Sequence, residues 1–159
     1  MKIAIGSDHR GFEAKERVKS LLTELGIEVI DHGARSRDSC DYPDMAILVA
    51  KDVAEDRAQR GVLICGTGLG MSITANKVPG VRAALCHDEL TAQFSRRHND
   101  ANVLCLAGDL VGDALIRRMV QVWLQTDFEG GRHARRLSKI SDFEKHQCNG
   151  RPSGGAASA

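Results

Sequence analysis

The chain has 159 residues, 42% of them apolar, and its 22 lysines and arginines stand against 21 aspartates and glutamates for a formal net charge of +1. That length suits one well-buried domain and is short for two, and the balanced charge argues against a general nucleic-acid footprint or a membrane-surface protein. Five cysteines, odd in number and without a Cys-x-x-Cys pair, argue against a disulfide framework and a zinc ribbon, and the opening run Ile3-Ala4-Ile5 is too short for a signal peptide or a membrane span. A cytoplasmic protein with reduced thiols is expected.

The first predicted element is a strand over 2–6, followed by Ser7-Asp8-His9-Arg10. Ser7 or Asp8 can cap the next helix or hold a ligand, and His9 can bind phosphate, handle protons or stand in solvent. Val18, Leu21, Leu22 and Leu25 recur at helical spacing, and Gly26 ends that helix. A second strand covers 27–31. Asp41-Tyr42-Pro43 then introduces a helix whose buried stripe is Ala46, Val49, Ala50 and Val53.

The third strand, 61–65, ends in Cys65 and the turn Gly66-Thr67-Gly68-Leu69-Gly70. The glycines let the backbone bend and approach a ligand, and several N–H groups can point at one anion or developing oxyanion. No Gly-Lys-Ser/Thr closes the turn, and its alternating glycines do not fit Gly-x-Gly-x-x-Gly, so a nucleotide pyrophosphate is not the default ligand. Cys65 reads either as a small core residue or as a thiol activated by the N–H groups of the following helix start. That helix opens at Ser72 and reaches about Lys77.

A strand over 81–86 and a helix from Glu89 to Arg97 lead to Arg96-Arg97-His98-Asn99-Asp100, where His98 can cap carbonyls or serve a site. The fifth strand spans 103–107. Cys86 and Cys105 interrupt apolar runs and read as core, whereas Cys40 and Cys148 have no assigned role. A fifth helix covers Val111 to Leu124, with Val111, Leu115, Met119 and Val122 on one face. A sixth, Arg132 to Gln147, carries only Leu137, Ile140 and Phe143 as an apolar stripe, which is thin for its own domain and suggests that it leans on a second copy. Arg132 and Arg136 share one face near its start, a spacing suited to gripping phosphate. Residues 1–147 form the domain; 148–159 lack anything to bury and are expected to be disordered.

The alternation predicts an α/β fold: one Rossmann-like domain, a five-stranded parallel sheet with helices on both faces, and a C-terminal helix packed on a partner. Ligands of such sheets gather beyond the strands' carboxyl ends. That rule collects Ser7 to Arg10 and Cys65 to Ser72, and His98, Asn99 and Asp100 before the fifth strand are placed with them.

The segments Gly6-Ser7-Asp8-His9-Arg10-Gly11-Phe12, Asp41-Tyr42-Pro43, Cys65 to Gly70, Ala75 to Arg82, Ser95 to Asn102 and Glu129-Gly130-Gly131-Arg132-His133 together resemble the type B ribose-5-phosphate isomerases over about residues 1–146. The resemblance implies a cofactor-independent, metal-free conversion of ribose 5-phosphate to ribulose 5-phosphate through an enediolate, in a homodimer or tetramer whose site is shared across the interface. It implies Cys65 as base, Thr67 as its hydrogen-bonding helper and His98 as ring-opening acid. Gly66, Gly68, Leu69, Gly70 and Ser72 are implied as the loop that binds the substrate, with Asp8, His9 and Asn99 as further contacts. Arg132 and Arg136 are implied as phosphate ligands reaching across the interface. Another branch carries a serine for the cysteine and a glutamate base where Met71 stands, so the cysteine mechanism is implied. Related proteins isomerise galactose 6-phosphate or allose 6-phosphate, which makes a six-carbon substrate the alternative; a non-catalytic sugar-phosphate-binding module would share the scaffold. Many members carry an arginine after the fifth strand where this chain has Asp109, a carboxylate that costs phosphate affinity unless it turns away or pairs with a cation.

Overall fold

Strands and helices alternate without exception up to the last two helices in this computed structural model, which describes residues 1–149. The elements are β1 (Lys2–Ser7), α1 (Phe12–Glu24), β2 (Glu28–Asp31), α2 (Tyr42–Ala54), β3 (Arg60–Cys65), α3 (Leu69–Ala75), β4 (Ala83–Leu85), α4 (Glu89–Asn99), β5 (Val103–Ala107), α5 (Asp113–Gln125) and α6 (Arg132–Asn149). All strand pairs are parallel, in the order β2-β1-β3-β5-β4. β1, β3 and β5 lie at the centre with both faces covered, which is why they read as unbroken apolar runs. The chain steps from β1 to β2 on one side and places β3 on the other, so a topological switch point opens between the carboxyl ends of β1 and β3.

Alternate side chains feed two cores. On one face Ile3, Ile5, Val62 and Leu104 meet Val18 and Leu22 of α1 and Trp123 of α5. On the other, Ala4, Leu63 and Cys105 meet Ala46 and Val49 of α2 and Met71 of α3. Cys86 and Cys105 are buried as the sequence predicts, and burial pushes both thiols up, so they are inert packing groups.

Three local features differ from the sequence reading. α5 begins at Asp113 after Gly112, and its buried stripe is Ile116, Met119, Val120 and Trp123; Leu115 and Val122 flank it, and Val111 lies in the preceding loop. The fully buried indole decides the rotation of the helix. Leu25 caps α1 and is 47% exposed, because Gly26 turns the chain with φ +70 one residue later. α3 is a seven-residue helix from Leu69, since Gly68 at φ +75 cannot be helical, and its end at Ala75 is fixed by the Asn76 amide donating to the Ser72 and Ala83 carbonyls. α6 packs against α4 and leaves Ile140 and Phe143 mostly exposed. Of the tail expected after Gln147, residues 150–159 lie outside the described residues.

Candidate active site

Cys65 is the last residue of β3, at the switch point. The residue is 5% exposed, and Sγ accepts the Gly68 N–H at 3.1 Å. Gly68 must be glycine twice over: its φ is positive, and a Cβ would stand 2.5 Å from Leu85 Cδ1. The far side of the turn is equally tight, since Gly70 faces the ring of Tyr42. Thr67 is exposed and its Oγ1 accepts the Leu69 N–H at 3.4 Å, whereas the Leu69 side chain points outward. Ser72 Oγ donates to the Ala83 carbonyl at 3.5 Å, which ties the helix to β4.

Backbone hydrogen bonds lock three loops around this turn. Asp8 N–H donates to Ile64 O at 3.3 Å, Gly108 N–H to Cys65 O at 2.8 Å and Asp109 N–H to Gly66 O at 3.0 Å. Asp8 is buried, and its Oδ1 accepts from the N–H groups of Arg10 and Gly11, both at 2.9 Å, so one carboxylate oxygen shapes the start of α1. His9 Nδ1 lies 3.3 Å from both the N–H and the carbonyl oxygen of Cys40, which gives Cys40 a role through its backbone and leaves Nε2 without a described partner. Asp109 does not stand alone: its Oδ2 accepts Arg10 Nε at 2.5 Å.

His98 and Asn99 do not share this edge. A residue that follows a strand lies at the carboxyl edge, whereas one that precedes a parallel strand lies at the amino edge, and α4 runs back between them. Asn102 O accepts from Gly61 N–H at 2.8 Å, and β3 pairs with β5 from Gly61↔Val103 to Cys65↔Ala107. Those four strand steps separate the two ends by about 13 Å along the sheet. Gathering His98 with Cys65 on one sheet edge of a single chain is therefore corrected.

At the amino edge, the His98 ring is sandwiched between Phe94, with centroids 4.8 Å apart and planes at 10°, and His133, at 4.3 Å and 6°. His98 Nε2 lies 4.0 Å from Glu129 Oε2, which also accepts Arg97 at 2.9 Å. The hydrogen bond from Arg97 holds the Glu129 carboxyl below the usual carboxylate range. His133 is buried; burial first, and the neighbouring His98 next, push its ring below the ordinary imidazole range. Arg132 Nε lies 3.4 Å from His133 Nε2, and Arg132 and Arg136 are exposed on the first turns of α6. His98, Glu129 and His133 bring ligand atoms within 4.8 Å of one another. The two rings are nearly parallel and stacked, however, so no single ion can lie in the plane of both. The cluster is built for imidazole chemistry.

The structure thus joins Cys65, Thr67, Gly66, Gly68, Gly70, Asp8 and His9 at one end of the strands and His98, Asn99, Arg132 and Arg136 at the other. In the sequence reading Glu129 and His133 stand within a motif but carry no assigned role, and Phe94 is not singled out. Phe94 and His98 are four residues apart on α4, and that helical spacing was the available signal for Phe94; Glu129 lies in the loop before α6, where no such spacing applies. Among the described residues no helix is long and apolar enough to cross a membrane.

A parallel α/β domain with a thiol and an N–H-lined turn at its switch point has the frame of an enzyme acting on a small anionic molecule. The family model described as Ribose/Galactose Isomerase matches residues 3–140. The chain is 46% identical over 146 residues to the ribose-5-phosphate isomerase B of Escherichia coli, covering 92% of this chain and 98% of that one. It is 39% identical over 151 residues to the D-erythrulose-4-phosphate isomerase of Pectobacterium atrosepticum, covering 92% and 99%. The solved ribose-5-phosphate isomerase B of Clostridium thermocellum superposes with a TM-score of 0.91 at 50% identity, over 92% of this chain and 99% of that one. The chain belongs to the ribose/galactose isomerase family and is a sugar-phosphate isomerase.

Proposed function

We propose that the protein interconverts ribose 5-phosphate and ribulose 5-phosphate at sites each assembled from two subunits. Cys65, Thr67, the turn Gly66 to Gly70, Asp8 and His9 come from one copy; His98, Asn99, Arg132 and Arg136 come from the other. The observation that carries this reading is the seat of Cys65: its sulfur ends a central strand at the switch point and takes the N–H of a glycine turn. The exposed stripe of α6 beside the two arginines supports a second copy as the source of the other half.

The furanose opens when an acid protonates the ring oxygen O4 as the O1 proton passes to solvent water, and the His98 imidazole suits the acid's part. The Cys65 thiolate then takes the proton from C2, and the electron pair moves to the carbonyl to give an enediolate. N–H groups fixed beforehand around the enediolate oxygens each contribute roughly 3–4 kcal/mol to lowering such a barrier. Cys65 then returns its proton to C1 as the O2 proton passes to O1, which yields the ketose. Arg132 and Arg136 suit the phosphate, since forked guanidinium hydrogen bonds match its oxygens.

The test is a panel of ribose 5-phosphate, allose 6-phosphate and galactose 6-phosphate followed by NMR in D2O. Ribose 5-phosphate is expected to turn over fastest with deuterium entering at the exchanging carbon, and preference for a six-carbon sugar would overturn the substrate. Cys65→Ala is expected to lose turnover and solvent exchange while still binding the sugar phosphate; full activity would refute the base.

A further inference from the structure

We infer that Arg10, oriented by Asp109, is a substrate-anchoring residue that presents its free guanidinium groups to the anionic end of the sugar phosphate beside Cys65. The inference deepens the isomerase reading and rests on it. The pair lies directly against the catalytic turn: a Cβ built on Gly66 would stand 2.5 Å from Asp109 Oδ2 and 2.9 Å from Arg10 Nε. Position 66, next to the proposed base, is therefore closed to side chains by an ion pair and not by the core.

The guanidinium is held by one edge only. Nε donates to Asp109 Oδ2 at 2.5 Å, and neither Nη donates to any described residue. The Arg10 side chain is 60% exposed, so those donors face the opening, not the protein. They line a hollow of about 380 Å³ together with His9, Arg17, Arg37 and Gly108. The other two arginines there are already committed, Arg17 to Asp113 at 2.8 Å and Arg37 to Glu13. What sets Arg10 apart is its place: its carboxylate partner takes the Nε edge, and the pair abuts Gly66 beside Cys65, whereas the partners of Arg17 and Arg37 lie on α5 and α1. Its backbone N–H and that of Gly11 are pinned by Asp8, which fixes where the side chain departs. A carboxylate at 109 would repel a phosphate if unpaired; here it is turned to a cation and spends its charge on aiming a fork.

The experiment compares the intact protein with Arg10→Ala, Arg10→Lys and Arg10→Ala/Asp109→Ala by steady-state kinetics on ribose 5-phosphate, and by calorimetric titration with inorganic phosphate. Arg10→Ala, which also leaves Asp109 bare, is expected to raise KM and the phosphate Kd by roughly tenfold or more while kcat stays within about threefold. Removing both charges should recover part of that loss, and Arg10→Lys should fall between. A lower melting temperature with KM and phosphate affinity unchanged would show a purely structural tie and overturn the inference. Phosphate titration does not depend on turnover: weakened phosphate binding in Arg10→Ala, in a wild type inactive on ribose 5-phosphate, would keep the anchor and sink the isomerase reading.

Discussion

His98 stands between two rings, and what those rings do defines its use. Phe94 and His133 fix the plane of the imidazole, and stacking of this kind contributes about 0.5–1.5 kcal/mol beyond buried area. His133 is the more informative neighbour, because its ring is buried and held toward the neutral form. On the proposed mechanism it acts through His98, as a positioning residue. His133→Asn is expected to cost a substantial part of the roughly 10²–10⁴-fold that a positioned acid contributes on ribose 5-phosphate. Erythrose 4-phosphate, whose phosphorylated O4 cannot close a furanose, requires no ring opening and should be spared. Equal losses on the two sugars would deny the link to ring opening. His98 itself is legible as a motif residue. Its second stacking partner, His133, comes from another helix, a meeting no local pattern reports.

At the scale of elements, the strands and the stripe of α2 follow directly from apolar periodicity, since burial on both faces or one face leaves that mark. α5 was misrotated because Leu115 and Val122 compete with Ile116 and Trp123 as inward positions, and only packing of the indole separates them. Polar ties between elements left no such trace. Lys15 on α1 reads as a surface lysine, yet it is 1% exposed and its Nζ reaches Asp31 of β2 at 2.8 Å. Asp52 on α2 is buried too, taking His32 Nε2 at 2.5 Å and Arg57 Nε at 2.7 Å. Burial alone would raise the Asp52 pKa, but the His32 and Arg57 hydrogen bonds outweigh it and hold the carboxyl below its usual 3.8. A depressed carboxylate stabilises the fold above its unfolded value, and that contribution is lost as pH falls through the folded value. Asp52→Asn is therefore expected to lower stability by about 1–3 kcal/mol at neutral pH and to flatten the loss below pH of about 4. Melting temperatures from pH 3 to pH 7 check it, and parallel curves for wild type and variant would contradict it.

For the whole molecule, the governing fact is that the thiol and the imidazole occupy opposite ends of the same strands. The sequence made both visible but not their separation, because motif order says which residues recur and the direction of a helix decides which edge they reach. In the assembly proposed above, a two-fold pair of subunits, each patch meeting the other's complement, would restore two complete sites. Mixing Cys65→Ala with His98→Asn subunits, each inactive alone, is then expected to recover about a quarter of wild-type activity after random exchange, since half the dimers are mixed and each holds one intact site. No recovery despite proven exchange would place both residues' work within one subunit.

On the proposed two-subunit site, the same division ties chemistry to association. Specific activity should fall on dilution toward the dissociation constant of the pair, and a compound that wedges beneath Ile140 and Phe143 would silence turnover without ever entering the mouth where sugar binds.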